Sequence, residues 1–216
     1  MATGARRAPS AAQMRKLRRA DARMAAALRD TEPFPGFPAP DVRRLSTYGY
    51  LARAICYQQL SGKAAATIWG RLCALGERRR PPEPADLLSL ADAELRAVGL
   101  SRQKVASLQD LAERVVDGRL VTRGLARASD AEVVERLTEV RGIGEWSAQM
   151  FLMFKLGRLD VMAPGDLGLQ EGLRRLDGLK ERPSARQLEV RAADWAPLRS
   201  VASWVLWRLT ELDSWS

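Results

Sequence analysis

A chain of 216 residues, 46% apolar and 28% charged, is long enough to bury a core as one domain or as two small lobes without a disulfide or metal staple. No apolar run approaches the roughly 20 residues that cross a bilayer, so a soluble globular protein with no membrane partner is expected. Histidine is absent, which excludes serine–histidine hydrolases, histidine metal sites and histidine acid–base chemistry, and the formal charge of +9 favours a polyanionic partner, nucleic acid first, over mere solubility.

The opening stretch MATGARRAPSAAQMRKLRRADARM is rich in arginine and alanine, has no acid before Asp21, and is faintly like an organelle transit peptide. The spacing of Met14, Leu17, Met24 and Leu28 instead predicts a helix of the mature domain over 11–28. PFPGFPAP at 33–40 forbids helix and separates that element from a helix over about 41–60 carrying Leu45, Tyr48, Leu51, Ala52, Ile55 and Tyr57. After QQLSGK a further helix is expected over 61–75, closed by RRRPPEP. Two short pieces follow, ADLLSL and ADAELRAVG, the second stopped by Gly99. In SRQKVASLQDLAERVV, Ser101 reads as an N-cap and Gly118 as the stop.

Another helix opens at Ser129 or Asp130, with Val133, Val134, Leu137 and Val140 on its inner face. EWSAQMFLMFKLG is apolar enough for a core helix, and DLGLQEGLRRL, SARQLEVRAADW and LRSVASWVLWRLTEL complete the chain. Nothing alternates at period two for long enough to make a sheet, so the fold class is all-α, without an internal repeat. Cys56 and Cys73 sit among helix-patterned apolar residues and read as buried reduced thiols of a cytosolic compartment; two cysteines cannot ligate an iron–sulfur cluster.

Between two of these helices lies VRGIGEWSAQM, 140–150. Gly142 and Gly144 both permit positive φ, so the chain can reverse within a few residues and offer amides at the start of the next helix, where a phosphate would be gripped without any sequence being read. Ile143 is expected to pack inward. An ordinary helix–helix turn with glycine caps accounts for the same residues equally well.

LTEVRGIGEWSAQMFLMFKLGRLDVMAPGDLGLQEGL resembles the helix–hairpin–helix motif, with its Gly/Pro-rich loop and aspartate, of the HhH-GPD DNA glycosylase superfamily. LARAICYQQLSGKAAATIW and GLSRQKVASLQDLA are similar to the corresponding segments of its 3-methyladenine DNA glycosylase II branch. The resemblance runs over about 17–209. It implies two helical lobes with a cleft between them, 1–40 with 157–216 and 41–156, a hairpin at 140–146, and no N-terminal β-domain. The implied activity is that of a monofunctional glycosylase, which flips alkylated purines such as 3-methyladenine and 7-methylguanine out of double-stranded DNA and hydrolyses the N-glycosidic bond, leaving an abasic site in base excision repair. A monomer in the cytoplasm, at the nucleoid if the cell is bacterial, goes with that reading. The alternative is a non-catalytic helix–hairpin–helix module that binds DNA or senses damage.

The same resemblance assigns residues. The carboxylate that faces the positive charge developing on the sugar is Asp166, in PGDLGLQ, where a plain helix N-cap is also expected. Members that cut the DNA backbone carry a lysine two residues after the second hairpin glycine; here that position is Trp146, which implies no AP lyase activity. The Trp146 indole suits a cationic methylated base, or simply core packing. Met150, Tyr57 and Trp207 complete the expected pocket, with Met150 and Gly165 departing from the family's commoner residues. Gln58, Gln59 and Leu60 are the expected plug for the vacated stack, Gln59 best by position, although helix-end caps explain the pair of glutamines too. Ser61, Lys63, Arg102 and Lys104, read either as phosphate contacts or as solvated surface, join Arg141, Gly142, Ile143 and Gly144 as the DNA-binding set. No cofactor is required; a monovalent cation, Na or K, is expected at the carbonyls of Val140, Gly142 and Ile143.

Overall fold

The computed structural model describes residues 7–211, so the first six residues of the basic opening stretch and residues 212–216 lie outside the described residues. In chain order the helices are α1 (Ala11–Ala20), α2 (Ala22–Asp30), α3 (Pro40–Arg43), α4 (Thr47–Tyr57), α5 (Gly62–Leu75), α6 (Pro84–Ser89), α7 (Asp92–Ala97), α8 (Arg102–Val116), α9 (Asp130–Thr138), α10 (Glu145–Met150), α11 (Leu167–Asp177), α12 (Ala185–Ala192) and α13 (Arg199–Glu211). Three-residue 3-10 turns lie at Glu77–Arg79 and Ala193–Trp195, and a π turn at Phe151–Lys155. Among the described residues no strand forms beyond an isolated bridge between Arg7 and Phe37. No helix there is long and apolar enough to cross a membrane. The all-α reading of the sequence holds.

Contacts divide the chain into a terminal unit, 1–40 with 152–216, and a central unit, 41–151. The second junction falls at 152 instead of the expected 157. The π turn explains the shift, because Phe154 packs edge-on against Phe37 at 4.7 Å and stacks on Trp207 at 5.7 Å, both in the terminal unit.

Two expected helices are each broken in two. Asp21 leaves helical geometry (φ −147°, ψ 108°), ends α1, and caps α2 by accepting from the Met24 amide at 3.0 Å. The same buried carboxylate accepts from Trp195 Nε1 at 2.7 Å and from the Arg191 guanidinium. Burial alone would raise this carboxyl, but the Met24, Trp195 and Arg191 donors outweigh it and hold the group below the usual carboxylate range. An apolar stripe that reads as one helix is therefore split by a partner supplied from the far end of the chain. Similarly, Ser46 accepts from the Gly49 amide at 2.9 Å and starts α4 afresh, so the helix expected over 41–60 becomes α3 and α4 and stops at Tyr57.

In the terminal unit α11 and α13 pack closely along Gly172, where a Cβ would come within 2.3 Å of the Leu206 carbonyl oxygen. Leu17, Met24, Leu169, Leu173, Leu188, Trp195, Val201 and Val205 are among its buried apolar residues. In the central unit α4 and α6 pack on α8, whose Val105, Leu108, Leu111 and Ala112 recur at helical spacing and are buried. Ser101 and Ser129 cap α8 and α9 as expected, each accepting from a first-turn amide at 3.2 Å. Cys56 and Cys73 are buried free thiols. Burial pushes the Cys56 thiol up to about 12, with the charge of Lys104 acting the other way.

Candidate functional site

The terminal unit holds one carboxylate with unusual care. The turn Ala163–Pro164–Gly165 closes when the Asp166 amide donates to the Ala163 carbonyl at 3.0 Å, and Asp166 then caps α11. Its Oδ1 accepts from the Leu169 amide at 2.8 Å and from Trp207 Nε1 at 3.2 Å. Trp207 comes from α13 and is steadied by its stack on Phe154, 5.7 Å between centroids and 23° between planes. Gly168 lets these groups meet, since a Cβ there would stand 3.0 Å from Asp166 Oδ1 and 3.2 Å from Trp207 Cδ1. Behind the turn, buried Gln170 donates to the Pro164 carbonyl at 2.8 Å. Three elements thus orient one half-buried carboxylate at a helix N-terminus, whose partial positive charge complements it. Asp166 and Trp207, singled out separately in the sequence, are in direct contact; Phe154 and Gln170 were missed, and an aromatic inside an apolar run gave no signal of its own.

In the central unit the glycine turn joins α9 to α10. Gly142 takes φ +79°, as a tight reversal requires, while Gly144 does not (φ −93°, ψ 177°) and serves as an extended N-cap for α10. Of the two glycines that permit positive φ, only Gly142 uses it. Gly144 has no side chain, so α10 begins without an N-cap side-chain hydrogen bond. Ile143 is 4% exposed and closes the turn by donating its amide to the Val140 carbonyl at 3.0 Å. Ser107 of α8 sits under Gly142 so tightly that a Cβ there would lie 2.5 Å from its Oγ. Asp110 Oδ2 accepts from the Arg141 amide at 2.8 Å and from Arg114 Nε at 3.0 Å. A serine on the buried face of an amphipathic helix was the available signal for this close approach.

Gln58, at the C-cap of α4, donates through Nε2 to the Gly142 carbonyl at 2.8 Å and to Ser147 Oγ at 3.4 Å. Its amide braces the hairpin instead of standing out as a plug would. Lys104 Nζ donates to the carbonyls of Cys56 and Gln58, both at 2.8 Å, and so caps the end of α4 in place of a phosphate contact. Burial holds its ammonium below the usual lysine range. Between Gln58 and Ser61, Gln59 is left exposed in the left-handed region at φ +55°, followed by Leu60, 40% exposed. A groove of about 460 Å³ runs past Gln59, Leu60, Ser101, Ser107, Arg141 and Gly142. Arg102 lines a different groove with Asp92, Arg96 and Gln109, because two residues along a helix turn a side chain by about 200°. Ser61 and Lys63 lie exposed at the start of α5, and Ser61 makes no side-chain cap.

The aromatic candidates of this unit separate. Trp146 is 47% exposed on α10, which sets core packing aside for it. Met150 is 7% exposed and its carbonyl accepts from the Tyr50 hydroxyl at 3.2 Å, so it belongs to the packing and not to an open wall. One face of Tyr57 is occupied by the Arg53 guanidinium at 4.7 Å, a contact the sequence did not suggest. Of the carbonyls considered for a cation, Val140 and Gly142 already accept from Ile143 and Gln58, which leaves each a single lone pair for any ion.

Comparison with known proteins agrees with this anatomy. The family model described as "HhH-GPD superfamily base excision DNA repair protein" matches residues 52–198. DNA-3-methyladenine glycosylase 1 of Schizosaccharomyces pombe is 34% identical over 180 residues, covering 83% of this chain and 79% of its own. Among solved structures, the S. pombe 3-methyladenine DNA glycosylase in complex with abasic DNA superposes with a TM-score of 0.80 at 30% identity, covering 96% of this chain and all (100%) of that one. A DNA-3-methyladenine glycosidase from Bacillus halodurans does so at 0.80 and 33%, covering 94% and 91%.

Proposed function

The chain belongs to the HhH-GPD superfamily of base excision DNA repair proteins, and from that premise we propose that it is a monofunctional DNA glycosylase which excises alkylated purines from double-stranded DNA. The observation that carries the reading is the Asp166 carboxylate, anchored at Oδ1 by a backbone amide of α11 and the indole N–H of α13. Cleavage of the N-glycosidic bond passes through an oxocarbenium-like state with positive charge on the sugar. A preoriented negative group lowers that state without having to reorganise as the bond breaks.

Purines methylated at N3 of adenine or N7 of guanine are already cationic and leave as neutral bases. No general acid is then needed, in keeping with a chain that contains no histidine. The exposed indole of Trp146 offers a face for such a cation. It also stands where strand-cutting members carry their nucleophilic lysine, so the product is an intact abasic site. The hairpin backbone around Gly142 and Gly144 grips phosphate, and Gln59 with Leu60 fills the stack left by the extruded base. A monomer that clasps one duplex completes the proposal. A monovalent cation, if bound, would share the remaining lone pairs of the hairpin carbonyls and steady the loop.

The test is incubation with methylated duplex DNA, reading free base by chromatography and strand breaks before and after alkali. Released 3-methyladenine or 7-methylguanine with breaks only after alkali is the expected result. Tight binding with no release at any enzyme concentration would make the protein a silent DNA-binding module. Breaks without alkali would overturn the monofunctional reading and direct attention to Lys155, whose ammonium burial holds below the usual range.

A further inference from the structure

Excess positive charge is unevenly distributed along the chain. Residues 1–40 carry eight Lys or Arg against three Asp or Glu, a net +5 of the total +9 in less than a fifth of the sequence. Much of it is on α1. Arg15, Lys16, Arg18 and Arg19 are all exposed, while Leu17 between them is 3% exposed and anchors the helix. At 100° per residue the four cations fall within an arc of about 160° centred opposite Leu17, so they form one continuous face. The helix itself is well specified: Ser10 and Gln13 make a reciprocal capping box at its start.

What distinguishes this face is that nothing among the described residues neutralises it. Several arginines elsewhere are paired, as in Arg23 with Asp177, Arg114 with Asp110, Arg191 with Asp21 and Arg199 with Asp160. The four cations of α1 form no ion pair among the described residues, and α1 contains no acid. Three like-charge pairs, Arg15–Arg18, Arg15–Arg19 and Lys16–Arg19, stand at helical neighbour spacing, where each repels the other. A self-repelling face on an otherwise well-capped helix is complementary to a dense array of negative charge.

Its position separates it from the catalytic carboxylate. Arg23, in the first turn of α2, donates to the Asp177 carbonyl at 2.7 Å, and Arg191 binds both Asp21 and Asp177. The α1–α2 junction is thereby fixed to the C-terminal end of α11. Asp166 caps the opposite end, about 16 Å away along an 11-residue helix. We propose that the basic face of α1 is a second, lesion-independent contact for the phosphate backbone of duplex DNA, outside the lesion site, which retains the protein on undamaged DNA. This inference rests on DNA being the partner in the proposed function, but not on the excision chemistry.

The test is a variant combining Arg15→Gln, Lys16→Gln, Arg18→Gln and Arg19→Gln; glutamine keeps helix propensity, and an unchanged thermal melt verifies that α1 persists. Binding to a long undamaged duplex is titrated against salt for the parent and the variant. The slope of log K against log salt should shrink by about 0.9 for each phosphate that is no longer neutralised, up to about 3.6 if all four side chains engage. Single-turnover excision at saturating enzyme should be unchanged, since Asp166 is untouched. An unchanged slope overturns the proposal. So does loss of binding to anionic phospholipid vesicles alongside unchanged DNA binding, which would assign the face to lipid. If the slope shrinks but the parent releases no base from methylated DNA, the surface stands and the glycosylase reading falls. Should the melt of the quadruple variant drop, Arg15→Gln with Arg19→Gln alone must still lower the slope by about half as much.

Discussion

Replacing Gln59 with glycine should make the protein more stable and less active at once. Gln59 sits at φ +55°, where a side chain costs about 1–2 kcal/mol, and its side chain is exposed, so its removal forfeits no packing. Glycine relieves that strain but gains freedom in the unfolded chain, which takes back roughly 0.5–1 kcal/mol. The net expectation is stabilisation by roughly 0.5–1 kcal/mol, or about 1–4 °C in Tm for a chain of this size. Excision moves the other way, because the extruded base leaves a gap that costs a few kcal/mol of stacking. If the side chain returns even about 1.4 kcal/mol of that, its removal slows single-turnover excision about tenfold. Gln59→Ala separates the two effects, since it keeps the strain and removes the plug: stability near the parent, excision as slow as the glycine variant. Thermal melts and single-turnover release of 7-methylguanine decide the matter. A destabilised glycine variant, or one that excises at the parental rate, would refute the idea that strain at this turn is maintained for the sake of the plug.

Asp166→Asn keeps an N-cap acceptor for the Leu169 amide and should leave folding and DNA binding intact while slowing excision by at least about 10²-fold, as read by single-turnover kinetics. Trp207→Phe preserves the stack on Phe154 and removes the donor to Asp166, so excision should fall roughly 3- to 10-fold with KM unchanged, the loss of about one hydrogen bond's orientation. Gln58→Glu sets a carboxylate against the Gly142 carbonyl and should destabilise the protein by about 1–2 kcal/mol in denaturant titration, with weaker binding to undamaged duplex. The Asp21 carboxyl is held below its usual range, so its contribution to stability is complete above about pH 4 and is lost as pH falls through the lower folded value; Asp21→Asn keeps the cap to Met24 and should flatten the acid limb of Tm against pH.

Which parts of this could be read from the sequence follows from the range of the forces involved. Ser101, Ser129 and Asp166 were legible as caps because a cap acts on an amide three residues away, within any reading window. Gly142 was legible because a tight reversal demands positive φ; which of the two glycines would take it was not, because the same residue type also serves as an extended cap, as Gly144 does. The break at Asp21 was hidden, since its partners Arg191 and Trp195 lie about 170 residues further along the chain. Lys104 was read as a phosphate contact or as solvated surface because a lysine at a helix start is usually exposed, and only the fold brings the end of α4 within its reach. Asp166 and Trp207 were each named, yet the bond between them could not be, because the packing of α11 on α13 along Gly172 is a property of shape and not of pattern.

The functional candidates share one feature that explains where chemistry can reside in such a fold. Within a helix every backbone donor and acceptor is paired, so an all-α chain offers unspent amides, carbonyls and unusual backbone angles at helix ends. Asp166 is an N-cap, Gln58 a C-cap, Gly144 an N-cap without a side chain, and Gln59 the residue that turns one helix into the next. Each end could have been satisfied by a local cap, as α8 and α9 are. Instead the end of α4 is satisfied by Lys104 from α8, its Gln58 reaches the hairpin, and the cap of α11 is shared with an indole from α13. Using distant groups fixes the geometry of a carboxylate and a loop more tightly than a flexible local cap does. Conservative changes to the supporting residues should therefore lower the excision rate out of proportion to their effect on stability.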